Sequence, residues 1–149
     1  VKKRYTEDIE GECEEMNSPS QDIKDLLEVS SAATGLTFGT DLFVGQEPDG
    51  GGVADKVVTV YDTGGGEPDP NRSLKEPTIQ VRVRGDKFGY QAGYTLAETV
   101  FDVLHGVKNT TVNSTRYVHI IATSDILYLG FDKNNRPMWT CNFRIIRTA

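Results

Sequence analysis

The sequence predicts an α+β fold: one mixed or antiparallel sheet of about five to six strands, two helices packed on it, and long Gly/Pro-rich loops. Three observations predict it. Apolar and polar residues alternate over Thr78–Arg84 and Met138–Ile146, the period of a half-buried strand. Apolar residues recur at helical spacing around Ile23–Leu27 and Leu96–Leu104. The elements follow the order α, β, β, β, α, β, β, β, which suits helices gathered on one sheet. The 149 residues fit a single domain with a core of its own.

Each element has a local reason. Residues 1–17 are charged and poor in apolar side chains, and predict a disordered tail; residues 18–149 form the folded domain. Organised sequence begins just after Met16, which makes Met16 the expected native start and residues 1–15 an upstream extension. Ser18 can cap a helix, Pro19 fits its first position and Gln21 can close a capping box. Ile23, Leu26, Leu27 and Ser30 share one face, Asp22, Lys24, Asp25 and Glu28 fall outside it, and Gly35 is the stop. Leu42–Val44 and the β-branched run Val57–Tyr61 are strands. Between them lies the loop 45–55 with Pro48 and Gly50-Gly51-Gly52. Asp62–Pro77, carrying Gly64-Gly65-Gly66, reads as a second long loop. In Thr78–Arg84, Ile79, Val81 and Val83 face the core, while Gln80, Arg82 and Arg84 face away. A helix over Gln91–His105 places Leu96, Val100, Val103, Leu104 and Val107 in one stripe and ends at Gly106. Arg116–Ala122 reads as a central strand buried on both faces. Ile126–Phe131 and Met138–Ile146 form a hairpin through Asp132–Pro137, with Trp139, Cys141, Phe143 and Ile145 on one side. The expected sheet core is Val58, Val60, Ile79, Val81, Val83, Val118, Ile120, Trp139, Phe143 and Ile145, covered by Leu96, Val100 and Val103.

Composition narrows the function. A net charge of −6 makes a phosphate backbone a poor partner and suits a chain that stays soluble or lets DNA slide past. No apolar run reaches the ~18 residues of a membrane span. Of the two cysteines, Cys13 lies in an acidic stretch and Cys141 in an alternating strand. One exposed and one buried thiol is the plainer reading, and a bridge between them is the alternative. His105 and His119 neighbour neither a nucleophile elbow nor an activated cysteine. No Cys-x-x-Cys, His-x-His or Asp-x-Asp-x-Asp spacing suggests a metal, and the triple glycines lack the ending of a phosphate loop. The expectation is therefore no catalytic residue, no cofactor and no metal. Arg82 and Arg84 are the one basic pair on a strand face, and suit carboxylates of a neighbouring subunit, with Asp102 and Asp132 as candidates.

The second half carries a resemblance. PTIQVRVRGDKFGY, a helix containing TLAETVFDVLHGV, the strand RYVHIIA and the hairpin LYLGFDKNNRPMWTCNFRIIR follow one another. In order and spacing, Arg84-Gly85, Leu104-His105-Gly106, Tyr117, Leu129-Gly130-Phe131-Asp132 with Arg136, and Asn142-Phe143 resemble the minor capsid or tail-terminator family of long-tailed phages. The likeness covers residues 18–147; the 1–15 extension departs from it, and the Asp132–Arg136 loop is slightly longer than the family pattern. The resemblance implies a structural virion protein of the tail or neck, assembled in the host cytoplasm as a homo-oligomeric ring similar to hexamers. Such a ring caps the tail tube protein and meets a head connector or stopper protein, and DNA passes without specific binding. Gly50, Gly51, Gly52, Gly64, Gly65 and Gly66 would then sit on loops reaching axial neighbours. A head-completion or other neck adaptor is the alternative within the virion, and a small ligand-binding domain the alternative outside it.

Overall fold

The computed structural model describes residues 16–148. Along the chain run α1 (Pro19–Val29), α2 (Ser31–Thr34), β1 (Leu42–Val44), β2 (Val57–Gly65), β3 (Leu74–Lys75), β4 (Pro77–Arg84), α3 (Tyr90–Leu104), β5 (Val107–Val112), β6 (Thr115–Ala122), β7 (Leu127–Phe131) and β8 (Pro137–Thr148). All eight strands join one sheet in the order β1-β2-β4-β8-β6-β5, with β3 and β7 also paired to β8. Only β1–β2 is parallel, so the sheet is mixed. It curls into a half-barrel.

The long strand β8 is the spine. One of its edges pairs with β4 through Met138–Arg144 and with β3 through Arg147–Thr148. The other pairs with β7 through Pro137–Thr140 and with β6 through Phe143–Arg147. Its apolar side, Trp139, Cys141, Phe143 and Ile145, is buried in one cluster with Ile79, Val81, Val83, Val58 and Val60 of the sheet, Ile23 and Leu27 of α1, and Leu96, Val100 and Leu104 of α3. Ser18 caps α1 as expected, its hydroxyl accepting the Gln21 N–H at 3.4 Å. Gly85 ends β4 where the chain crosses α3: a Cβ there would stand 2.9 Å from Pro137 and 3.3 Å from the Gly93 Cα, so only glycine lets strand and helix approach this closely.

The fold departs from the expectation in several places. The sheet has eight strands rather than five to six, and there are three helices rather than two. The first helix breaks at Ser30, and Gly35 ends the separate turn α2. Val107 leaves the α3 stripe and begins the edge strand β5. Asp62–Pro77 is not one long loop: β2 continues to Gly65, which pairs with Pro77 after a bulge, and β3 follows at Leu74–Lys75. The open loop shrinks to residues 66–73. Val118 is only half-buried, because β6 bulges between Tyr117 and His119 against β8. The extra residue shifts the phase, so Tyr117 and Ile120 both enter the core. Arg116–Ala122 is accordingly not buried on both faces. The expected 1–15 extension and Cys13 lie outside the described residues, and of the expected 1–17 tail only Met16 and Asn17 are described.

Candidate assembly surfaces

A clamp holds the segment between β1 and β2. Arg84 closes β4 on the outer side of the sheet, where the sequence places it, yet it is only 3% exposed. Its Nε donates to the Asp55 carbonyl at 2.8 Å, Nη1 to Pro48 O at 3.0 Å and Nη2 to Ala54 O at 3.1 Å. Nη1 also lies 3.4 Å from Glu47. The expectation that Arg84 offers its guanidinium to a neighbouring subunit is thus corrected: it lies on the outward side, but a loop of its own chain folds over it. Arg136 works from the β7–β8 turn. Its Nε donates to Asp132 at 2.9 Å, Nη1 approaches Asp55 at 3.3 Å, and Nη2 meets Asp49 at 3.1 Å. Asp132 also accepts the backbone N–H groups of Asn134 and Arg136, both at 2.9 Å. Burial opposes charge on Asp132, but these donors outweigh it and hold the carboxyl below its ordinary range. Arg136, helped by the Gly50 N–H, lowers Asp49 in the same sense.

A second polar cluster sits under α1. Asp22, expected outside the apolar stripe, is fully buried. It accepts the Tyr117 hydroxyl, Asn113 Nδ2 at 2.8 Å and Asn17 Nδ2 at 3.3 Å, with Arg147 at 3.8 Å. Arg147 Nη1 donates to the Asn17 carbonyl at 2.9 Å, tying the approach to α1 onto β8. Burial, reinforced by Asp22, pushes the Tyr117 phenol far above its ordinary value. Both clusters hold the fold together.

The third feature is an exposed aromatic tip. Phe88, Tyr90, Leu127, Tyr128, Leu129 and Phe131 are all exposed around β7 and the start of α3. Tyr128, Trp139 and Tyr90 pack mutually, with ring centroids 4.7 Å apart for Tyr128–Trp139, 5.2 Å for Tyr90–Tyr128 and 5.0 Å for Tyr90–Trp139, and Phe131 lies 6.4 Å from Tyr128. Phe88 has a φ of 58°, a left-handed backbone that a bulky side chain rarely adopts, and is 75% exposed. Its N–H donates to Asn135 O at 2.8 Å, which fixes it against the hairpin turn.

The expected interface residues do not form one patch. Arg82 is partly exposed on the outer side of β4, 4.0 Å from Glu47 and 5.6 Å from the Tyr61 ring centroid. Asp102 is exposed on α3, which packs on the other side of the sheet. Arg84 and Asp132 are engaged within the chain. Gly50, Gly51 and Gly52 lie in the clamped loop. Gly64 and Gly65 lie in β2, and Gly66 donates its N–H to Glu76 O at 2.9 Å. At Gly65, with φ 147°, a Cβ would strike the Glu76 carbonyl. Sequence reading missed the burial of Asp22 and the tip, and it named Arg136 beside Asp132 through the resemblance without its reach to Asp49 and Asp55. The unbroken apolar run ILYLGF was the available signal for the tip, since it fits an exposed binding edge as well as a buried strand.

Neither histidine joins a reactive set: His105 Nδ1 accepts the Ala122 N–H at 3.0 Å, and His119 Nε2 is buried without a partner among the described residues. Cys141 is buried, and desolvation pushes its thiol up to about 12. Among the described residues, no group of His, Cys, Asp or Glu is arranged to hold a metal, and no helix is long and apolar enough to cross a membrane.

The described residues thus present a clamped loop, a locked helix approach and an exposed aromatic tip on one sheet. The chain belongs to the bacteriophage tail terminator family, whose model matches residues 31–149. That family is one of structural phage tail proteins. Among solved structures, the chain is similar to one from the virion of a native gene transfer agent particle, with a TM-score of 0.67 at 16% identity, covering 88% of this chain and 95% of that one. A second solved chain matches with a TM-score of 0.50 at 12% identity, covering 86% and 96%. At these identities the likeness is one of fold. No curated protein matches the sequence.

Proposed function

We propose that this chain closes into a homo-oligomeric ring, a hexamer by resemblance, that caps the last ring of the tail tube and joins it to a head connector or stopper protein. The family match over residues 31–149, nearly all of the folded domain, is the observation that carries this reading. The physics suits it. A sheet spliced along one long strand makes a stiff ring wall, and the clamped loop holds Gly50–Gly52 in place for an axial neighbour. Gly64–Gly66 and the loop after them offer a second such surface. A net charge of −6 keeps the lumen from adhering to passing DNA. Arg82 and Asp102 remain candidates for subunit contact, while Arg84 and Asp132 act indirectly by holding the loop. The test adds the purified protein to polymerising tail tube protein. Tubes should stop growing and carry one extra ring at one end in electron micrographs. Unchanged tube lengths with bare ends would overturn the reading.

A further inference from the structure

We infer that ring neighbours pack front to back: the outer side of the sheet around Arg144 of one copy meets the Glu98–Asp102 side of α3 of the next. The inference rests on the ring reading and names its joint. A closed ring needs a heterologous contact, one patch meeting a different patch of the next copy. The two layers of this fold supply such patches, because α1 and α3 pack on the same side of the sheet. On the other side the chain covers itself around Arg84, under Glu47–Asp55. Away from that loop the outer side is cationic. Arg82 lies opposite Thr140, Arg144 opposite Thr78 and Ile121, and Lys108 opposite His119, which pairs with Ile146. Residues in register share a face, and faces alternate along β8, so these three cations stand on the side away from the core. Arg116 joins them by alternation with buried Tyr117.

The charges of the two sides are complementary residue by residue. β4, β5, β6 and β8 contain no Asp or Glu at any position. Glu47 reaches the sheet from the loop, but it is held by Arg84 at 3.4 Å and stands 4.0 Å from Arg82, whose Nε has no partner among the described residues. Arg144 and Lys108 are exposed, with no carboxylate in salt-bridge distance among the described residues. The helix side is the reverse. No Lys or Arg occurs from Phe88 to Val107, the stretch that holds α3, or from Tyr117 to Asp132. Glu98 and Asp102 are exposed one turn apart on α3. Glu98, then burial, Asp125 and Asp102 raise the Tyr94 phenol, so the three carboxylates share one neighbourhood. No ion pair among the described residues relieves their repulsion. Copies stacked sheet to helix therefore attract, while sheet to sheet or helix to helix they repel. That disfavours a two-fold dimer and selects the head-to-tail order of a ring. Duplex DNA is the other polyanion for a cationic face; the matching carboxylates on the chain's own α3 favour the second copy.

The test uses two variants of the full chain. Arg144→Glu with Lys108→Glu reverses the sheet face; Glu98→Lys with Asp102→Lys reverses the helix face. All four positions are exposed, so circular dichroism should match the parent. Light scattering should show rings for the parent, and for each variant alone self-association weakened at least about tenfold. Mixed in equal amounts, the variants should form rings again, because each reversed face then meets a face of opposite charge on the other variant. Folded variants that each assemble like the parent, or a mixture that stays dissociated, would overturn the contact while leaving the ring. A sheet-face variant that assembles normally but loses the parent's binding to duplex DNA would overturn it in favour of a DNA contact. A parent that stays a protomer at every concentration would instead remove the ring reading, and the contact with it.

Discussion

Arg84 occupies an outward position of β4, yet Glu47–Asp55 folds over it and accepts from its guanidinium. The three carbonyls it reaches belong to residues 29 to 36 positions away, and without it they would have no charged donor. Removing one member of such a buried charged set leaves Glu47 and the carbonyls under-satisfied. Arg84→Ala should therefore cost about 3–5 kcal/mol, read as a shift of the urea midpoint at unchanged slope. A loss under about 1 kcal/mol would mean that the loop supports itself. The same residue shows what sequence could and could not convey. Alternation placed Arg84 on the correct side of the strand. That this side is covered depends on a contact between distant segments, which no local pattern records. Asp22 is the mirror case: its position on α1 suggested solvent, and the residues that bury it, Tyr117 and Arg147, come from strands nearly a hundred residues and more along the chain.

At the scale of the element, the β1–β2 loop and the loop 66–73 now differ, although both looked alike as Gly/Pro-rich sequence. The first is held by two arginines; the second is exposed and ends in the short strand β3. A broad-specificity protease should cut first within 66–73 and reach Gly50–Gly52 only later. In Arg84→Ala, Gly50–Gly52 should become an early site. First cleavage at Gly50–Gly52 in the parent would count against the clamp. The clamp also has a pH signature. Asp49 and Asp132 are held below their ordinary values, so the stability they contribute is complete above about pH 4 and is lost as the pH falls through their lowered values. Below about pH 4 the urea midpoint of the parent should fall more steeply than that of Asp132→Asn, which has no proton to gain at that site. Parallel curves would show that Asp132 carries no such linkage. Element legibility follows the same physics. Strands with one apolar face, β4 and β8, were plain in the sequence. The edge strand β5 was not, because VKNTTV fully buries none of its side chains and carries Asn109 at φ 46°, leaving no alternation to detect.

At the scale of the whole molecule, β8 decides how the fold comes apart. Four strands pair with it, and its buried side packs against α3. A domain assembled on a shared spine has no natural line along which one half could unfold while the other persists. It should therefore unfold in one cooperative step. Two probes at opposite ends of β8 can test this. Trp139, the single tryptophan, reports on the tip end through its fluorescence. Amide exchange in β5 and β6 reports on the opposite end, near Arg147. In urea both should lose their native signal at the same midpoint. Phe143→Ala removes a fully buried ring from the middle of the spine and should lower both midpoints together, by about 3–5 kcal/mol of stability. If the tip end melted first in the parent, or if Phe143→Ala lowered only one of the two midpoints, β8 would be two independent halves and the sheet would not unfold as one unit.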